Sequence, residues 1–160
     1  MSIEASEQSQ QEKGGFATNL VDVDQWFSTY FQTFIDIGAG LKDPSEILTY
    51  WGVPLHSSSP KHSKWLKSAK EVMDFLQDMQ KGLKEVGYTH TVAIDKMITM
   101  YSENAGRVET IMSRRGKDDL EVDRAAISFE LRRGGKEWII ISTTAQPTKL
   151  TKLQDVWLEF

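Results

Sequence analysis

The apolar residues of this chain change their period once, near residue 90, and that change decides which folds are open to it. Before residue 90 they recur every three to four positions; after it they alternate. The segments "THTVAIDKMITMYS", "RVETIMSRR", "EVDRAAISFELRR" and "KEWIIISTTA" read as four strands, joined by the turn-forming pieces "ENAG", "GKDD" and "GG". Helices first and an antiparallel meander last imply an α+β domain, with the helices on one face of a curved antiparallel sheet.

Three helices are expected ahead of the meander. In the first, Val23, Trp26, Phe27, Tyr30, Phe31, Phe34, Ile35 and Ile37 keep helical spacing over a wide arc, so the helix is buried on more than one side. Asp22 or Asp24 stands where its N-cap belongs, and Gly38 or Gly40 where it ends. A short second helix follows Asp43 as cap and Pro44 at its first position, with Glu46 placed to reach back and Gly52 as terminator. The third carries an S-x-x-E box at Ser68 and Glu71, an apolar stripe of Val72, Leu76, Met79, Leu83 and Val86, and a stop at Gly87. Between the second and third helices, "PLHSSS" and "KWLK" add two shorter strands.

At 160 residues and 18.2 kDa the chain is long enough for one domain with a real core. The divisions expected are a disordered polar tail over 1–20, the domain over 21–146 and an appendage over 147–160. A net charge of −4 and a pI near 5.4 speak against nucleic acid, which asks for a basic surface. No cysteine is present, which excludes disulfides, thiolate zinc sites and cysteine nucleophiles. No run approaches the roughly 18 apolar residues of a membrane span, and the opening lacks a signal peptide's apolar core. No membrane partner, no metal and no cofactor are expected, and the cytoplasm is the expected compartment.

Element order, the aromatic first helix ending "DIGAG", the "DPSEILTYWGVPL" turn, the "WLKSAKEVMDFL" helix entry and the closing "KEWIIISTTA" together resemble the nuclear transport factor 2-like superfamily, with its SnoaL-like, polyketide-cyclase-like members. The similarity spans residues 22 to 146. It implies a cone-shaped curved sheet wrapped around the long helix, a pocket at the open end and, in many members, a homodimer through the sheet. Such pockets serve isomerases, dehydratases, hydrolases and cyclases as well as binding modules, so the fold does not fix the chemistry.

The ketosteroid-isomerase members imply a tyrosine, a base and a late-strand acid. Here those places fall on Phe31 (with Tyr30 one residue away, about 100° round the helix), on Ser58 or Ser59, and on Ile127. None carries the required group. If Ile127 faces inward, so do Ala125, Phe129 and Leu131, with Asp123 the one acid of that strand face and Arg124, Ser128, Glu130 and Arg132 outside.

His56, on the first short strand, is the best single acid/base candidate. Parity leaves two arrangements open: His56 and Ser58 inward, or Leu55, Ser57 and Ser59 inward. No G-x-S-x-G elbow surrounds any serine, and His62 and His90 lie near loop ends without a metal-binding partner pattern. The consecutive apolar run "WIII" at 138–141 puts both faces of its strand against something dry, the outer one against a second subunit or the C-terminal segment.

The resulting expectation is a pocket-containing domain that binds a small, hydrophobic molecule as a homodimer, through Tyr30, Phe34, Trp51, His56, Ser58 and Asp123. The alternative is a small isomerase, dehydratase or cyclase with His56 as acid/base and Tyr30 as hydroxyl donor. The direction in which His56 points separates the two.

Overall fold

The computed structural model describes the backbone of residues 3–158 and side-chain surroundings from residue 19 onward. Two α-helices, α1 (Ile3–Gly38) and α2 (Ala69–Glu85), accompany six strands: β1 (Trp51–Ser59), β2 (His62–Leu66), β3 (His90–Ser102), β4 (Ala105–Arg115), β5 (Glu121–Gly134) and β6 (Glu137–Pro147). The strands form one curved, unclosed sheet in the order β2-β1-β6-β5-β4-β3. All neighbours are antiparallel except β1 and β6, which run parallel and join the N-terminal hairpin to the meander.

The four meander strands lie where the change of period puts them, and the two short ones take in most of "PLHSSS" and "KWLK", with β1 opening at Trp51 and β2 at His62. The first helix differs. It passes through Asp22 and Asp24, so neither is its N-cap, and its backbone takes in most of the segment expected as a tail. The side chains of residues 1–18 of that tail lie outside the described residues. The second helix is a single 3₁₀ run, Pro44–Thr49, whose cap Asp43 accepts from the backbone N–H of Ser45 at 2.8 Å. It ends at Tyr50 rather than Gly52, because Trp51 already opens β1. Gly52 instead packs under Ile139, where a Cβ would stand 3.0 Å from the Cδ1 of that residue.

Helix α2 starts as its box implies: the Ser68 hydroxyl accepts from the N–H of Glu71 at 3.1 Å. The Glu71 carboxylate reaches the N–H of Lys67, one residue earlier than a capping box requires. Val72, Leu76 and Leu83 are buried, whereas Val86, past the last full turn, is exposed.

The main core lies between the helices and the concave face of the sheet. Val23, Phe27 and Tyr30 of α1 and Val72 and Leu76 of α2 meet Leu55, Val108, Phe129, Leu131 and Ile140. Ala125, Ile127, Phe129 and Leu131 face inward together, as alternation from Ile127 requires. A second, smaller core lies on the convex face. There Leu153 from the C-terminal segment is buried with Ile111 and Ala126. Its N–H donates to the Asp95 carboxylate at 2.9 Å, and Arg124 donates to the carbonyls of Lys149 and Leu150. The appendage is thus a strap over β3, β4 and β5. It leaves the outward residues Ile139 and Ile141 of β6 uncovered beside Val53 and Trp65, which are 45% and 56% exposed.

Candidate functional site

A cavity of about 170 Å³ lies between α1, α2 and the concave sheet face. Helix α1 contributes Tyr30, Phe31 and Phe34, and helix α2 contributes Phe75 and Met79. The sheet adds Trp51, Met112, Ala125, Ile127 and Phe129, so most of the wall is apolar. Polar groups gather in two places: Ser57, Ser58, Ser59 and His62 on the β1–β2 hairpin with Thr143 of β6 beside Ser57, and Thr91 and Arg114 on the β3–β4 side.

Tyr30 stands deep in this wall, 3% exposed, with its ring against Phe27 and Phe129 at centroid distances of 5.5 and 5.8 Å. Its hydroxyl oxygen accepts from the indole N–H of Trp51 at 3.1 Å. Burial pushes its phenol far above the ordinary tyrosine value, and the Trp51 hydrogen bond opposes that only in part. Tyr30 is therefore a neutral donor and acceptor at any physiological pH.

The hairpin decides the polar end. The chain turns at Pro60 and Lys61, so Ser59 lies opposite His62, and directly opposed residues of an antiparallel pair share a face. Ser57, Ser59 and His62 accordingly point to the concave side. Nε2 of His62 lies 2.9 Å from Ser57 Oγ, and Nδ1 lies 3.3 Å from Ser59 Oγ. The ring meets the edge of Phe75 at 5.9 Å. Burial, then the nearby charges of Lys64 and His56, hold the His62 imidazole below its usual value, so it is neutral at pH 7.

His56 is a correction. It points to the convex face, opposite Trp65 in the register, with its ring 4.8 Å from the indole. The imidazole therefore does not converge with Tyr30, because Leu55, the apolar residue of the strand, takes the inward position. Of the remaining expected residues, Tyr30, Phe34, Trp51 and Ser58 border the cavity, Ser58 from between its two inward neighbours. Asp123 lies one step back from the wall, accepting from Nε of Arg114 at 2.6 Å. Phe31, Ser58, Ser59 and Ile127, the places designated by the resemblance, also border the cavity.

Sequence reasoning missed His62 as a cavity residue. The signal was present: a two-residue turn at Pro60–Lys61 implies the Ser59–His62 pairing. Among the described residues, no group of three or more His, Asp or Glu side chains gathers as a metal site would. No helix among them is long and apolar enough to cross a membrane.

A curved, mainly antiparallel sheet closed on its concave side by two helices, with a cavity between them, defines an NTF2-like α+β domain. Residues 21–148 match the family NTF2-like protein (DUF6841), and the chain belongs to that family. Solved structures share the fold. A Nostoc punctiforme protein of unknown function with a cystatin-like fold superposes with a TM-score of 0.61 at 11% identity, covering 81% of this chain and 90% of its own. An NTF2-like protein with a cystatin-like fold from Novosphingobium aromaticivorans gives 0.56 at 12% identity, covering 99% and 96%. The yeast UBP3-associated protein BRE5 gives 0.61 at 7% identity, covering 80% and 95%. No curated protein shows significant sequence similarity. Likeness at these identities concerns the fold alone.

Proposed function

We propose that this domain binds a compact, mainly apolar molecule in the cavity between Tyr30 and the β1–β2 hairpin. The observation that carries this reading is the cavity itself: an apolar wall with its polar groups confined to two places. Size narrows the ligand. An apolar cavity of about 150 Å³ accepts benzene, so 170 Å³ suits a molecule of about one ring. Ser57 and His62 offer it a hydrogen bond at one end, and Arg114 a charged contact at the other. Titration of the full chain with phenol, followed by protein-observed NMR, tests the reading. Saturable shifts at Tyr30, Ser57 and Phe129 are expected; no saturable shift up to the solubility limit of phenol refutes it.

The same reading makes the protein a homodimer through the convex face. Its support is the apolar strip of Val53, Trp65, Ile139 and Ile141, which the C-terminal strap leaves bare and which a lone chain would expose to water. Light scattering is expected to give the mass of two chains, reduced to one by Ile141→Glu. A single-chain mass for the unaltered protein excludes the dimer.

A further inference from the structure

The hairpin holds a serine and a histidine in a relation that binding alone does not require. Ser57 Oγ, on a residue 3% exposed, lies 2.9 Å from His62 Nε2 and on the wall of the cavity. The other ring nitrogen is held as well: Nδ1 faces Ser59 Oγ at 3.3 Å, and that oxygen also accepts the Lys61 N–H at 3.2 Å. With the ring proton on Nδ1, toward Ser59, the lone pair of Nε2 faces the Ser57 hydroxyl. A base so oriented, beside a serine in a cavity of low polarity, is the arrangement by which a hydroxyl becomes a nucleophile. Burial beside Phe75 keeps the ring unprotonated at pH 7, ready to take that proton.

Two donors border the same cavity. The Tyr30 oxygen accepts from Trp51, and among the described residues its own proton has no acceptor. Arg114 presents a guanidinium from β4. An acyl-transfer site needs a donor toward the oxygen that becomes negative, a role that falls to the Tyr30 hydroxyl, since Arg114 stands at the opposite end of the cavity and is paired with Asp123.

We propose that Ser57, with His62 as its base, is the nucleophile of an acyl-transfer site for compact carboxylic esters whose alcohol part is about one ring. Ser57 Oγ bonds to the ester carbonyl carbon as its proton passes to His62 Nε2. The carbon–oxygen bond to the alcohol then breaks, and His62 returns the proton to the departing oxygen, leaving acyl-Ser57 and the free alcohol. Water then bonds to the acyl carbon as it gives a proton to His62; the bond to Ser57 Oγ breaks, His62 returns the proton to that oxygen, and the acid leaves. The net change is ester plus water to acid plus alcohol. Ser59 is a positioning residue, acting through the imidazole. This proposal rests on the reading that the cavity admits a molecule of one ring.

The test uses phenyl acetate on the full chain, with phenol release followed optically and acetylation mapped by peptide mass spectrometry. Phenol release with acetyl on Ser57 is expected. Ser57→Ala abolishes the labelling, His62→Gln slows it about a hundredfold or more, and Ser57→Cys retains transfer as a thioester. Equal phenol release by the unaltered protein and by Ser57→Ala, or acetyl confined to lysines, overturns the proposal. Phenol binding by NMR separates the two readings. Binding without Ser57 acylation refutes the acyl-transfer site and leaves the pocket standing; neither binding nor acylation refutes both.

Discussion

The indole N–H of Trp51, the first residue of β1, donates to the hydroxyl of Tyr30 in the last third of α1 at 3.1 Å, and both residues are 3% exposed. This bond ties the sheet to the helix beside the cavity, and its two partners are also part of the wall. Tyr30→Phe leaves the Trp51 N–H buried without an acceptor, a loss of about 1–3 kcal/mol. Urea denaturation is expected to show it. In a double-mutant cycle with Trp51→Phe the combined loss is expected to fall short of the sum of the two single losses, since removing both partners leaves no unpaired group.

The neutral state of His62 predicts a pH dependence of stability. Its folded value is depressed by burial, then by Lys64 and His56, whereas in the unfolded chain it returns to about 6.5. Below that value the unfolded chain takes up the proton first. The stability associated with the neutral ring is therefore present above about pH 6.5 and is lost as the pH falls toward the folded value. His62→Gln is expected to flatten the fall in urea midpoint between about pH 7 and pH 5. An unchanged slope removes His62 as its source.

Two glycines predict opposite signs. A Cβ on Gly116 would stand 2.7 Å from the backbone oxygen of Gly87, at the contact between the β4 end and the stop of α2. Backbone must move to admit it, so Gly116→Ala is expected to cost about 1–3 kcal/mol. Gly82, inside α2, has nothing within 4 Å of such an atom. Gly82→Ala is expected to stabilise by about 0.5–1 kcal/mol through the helix propensity of alanine. Thermal melts of the pair check both directions.

The C-terminal strap predicts a local effect. Leu153, 3% exposed, is its one deeply buried residue among the described ones, against Ile111 and Ala126. Leu153→Ala is expected to cost about 2 kcal/mol and to bring forward proteolytic cleavage in residues 148–158. Asp95→Ala, which removes the acceptor of the Leu153 N–H, is expected to cost about 1 kcal/mol and give the same cleavage pattern. Cleavage unchanged in both variants excludes the strap as a separately opening unit.

Much of the fold was legible because it depends on local chemistry. The alternation in "EVDRAAISFELRR" puts Ala125, Ile127, Phe129 and Leu131 on one face wherever the strand goes, since one face must be dry. Ser68 caps α2 with its own side chain, so the start of that helix needs no distant partner. Asp22 and Asp24 misled for the complementary reason. A cap residue in mid-sequence is only a permitted start, and the helix runs through both.

The candidate site was legible in its types and not in its pairing. Serine and histidine in "LHSSSPKHS" were visible as ingredients, and Leu55 carried the clue that Ser57 and Ser59 face inward with it. Which histidine joins them depends on the register of a hairpin. The turn at Pro60–Lys61 sets His62 opposite Ser59 and, by the same alternation, sends His56 out to Trp65.

The sequence by itself determined the order of helices and strands, the common face of Ala125, Ile127, Phe129 and Leu131, and the absence of thiol chemistry, because period and composition act within a few residues. Only the tertiary structure decided that Tyr30 meets Trp51, that His62 meets Ser57, and that the C-terminal segment straps Ile111 rather than Ile139. Those contacts join residues distant in the chain, or turn on a one-residue register, and packing of the whole sheet against its helices selects them.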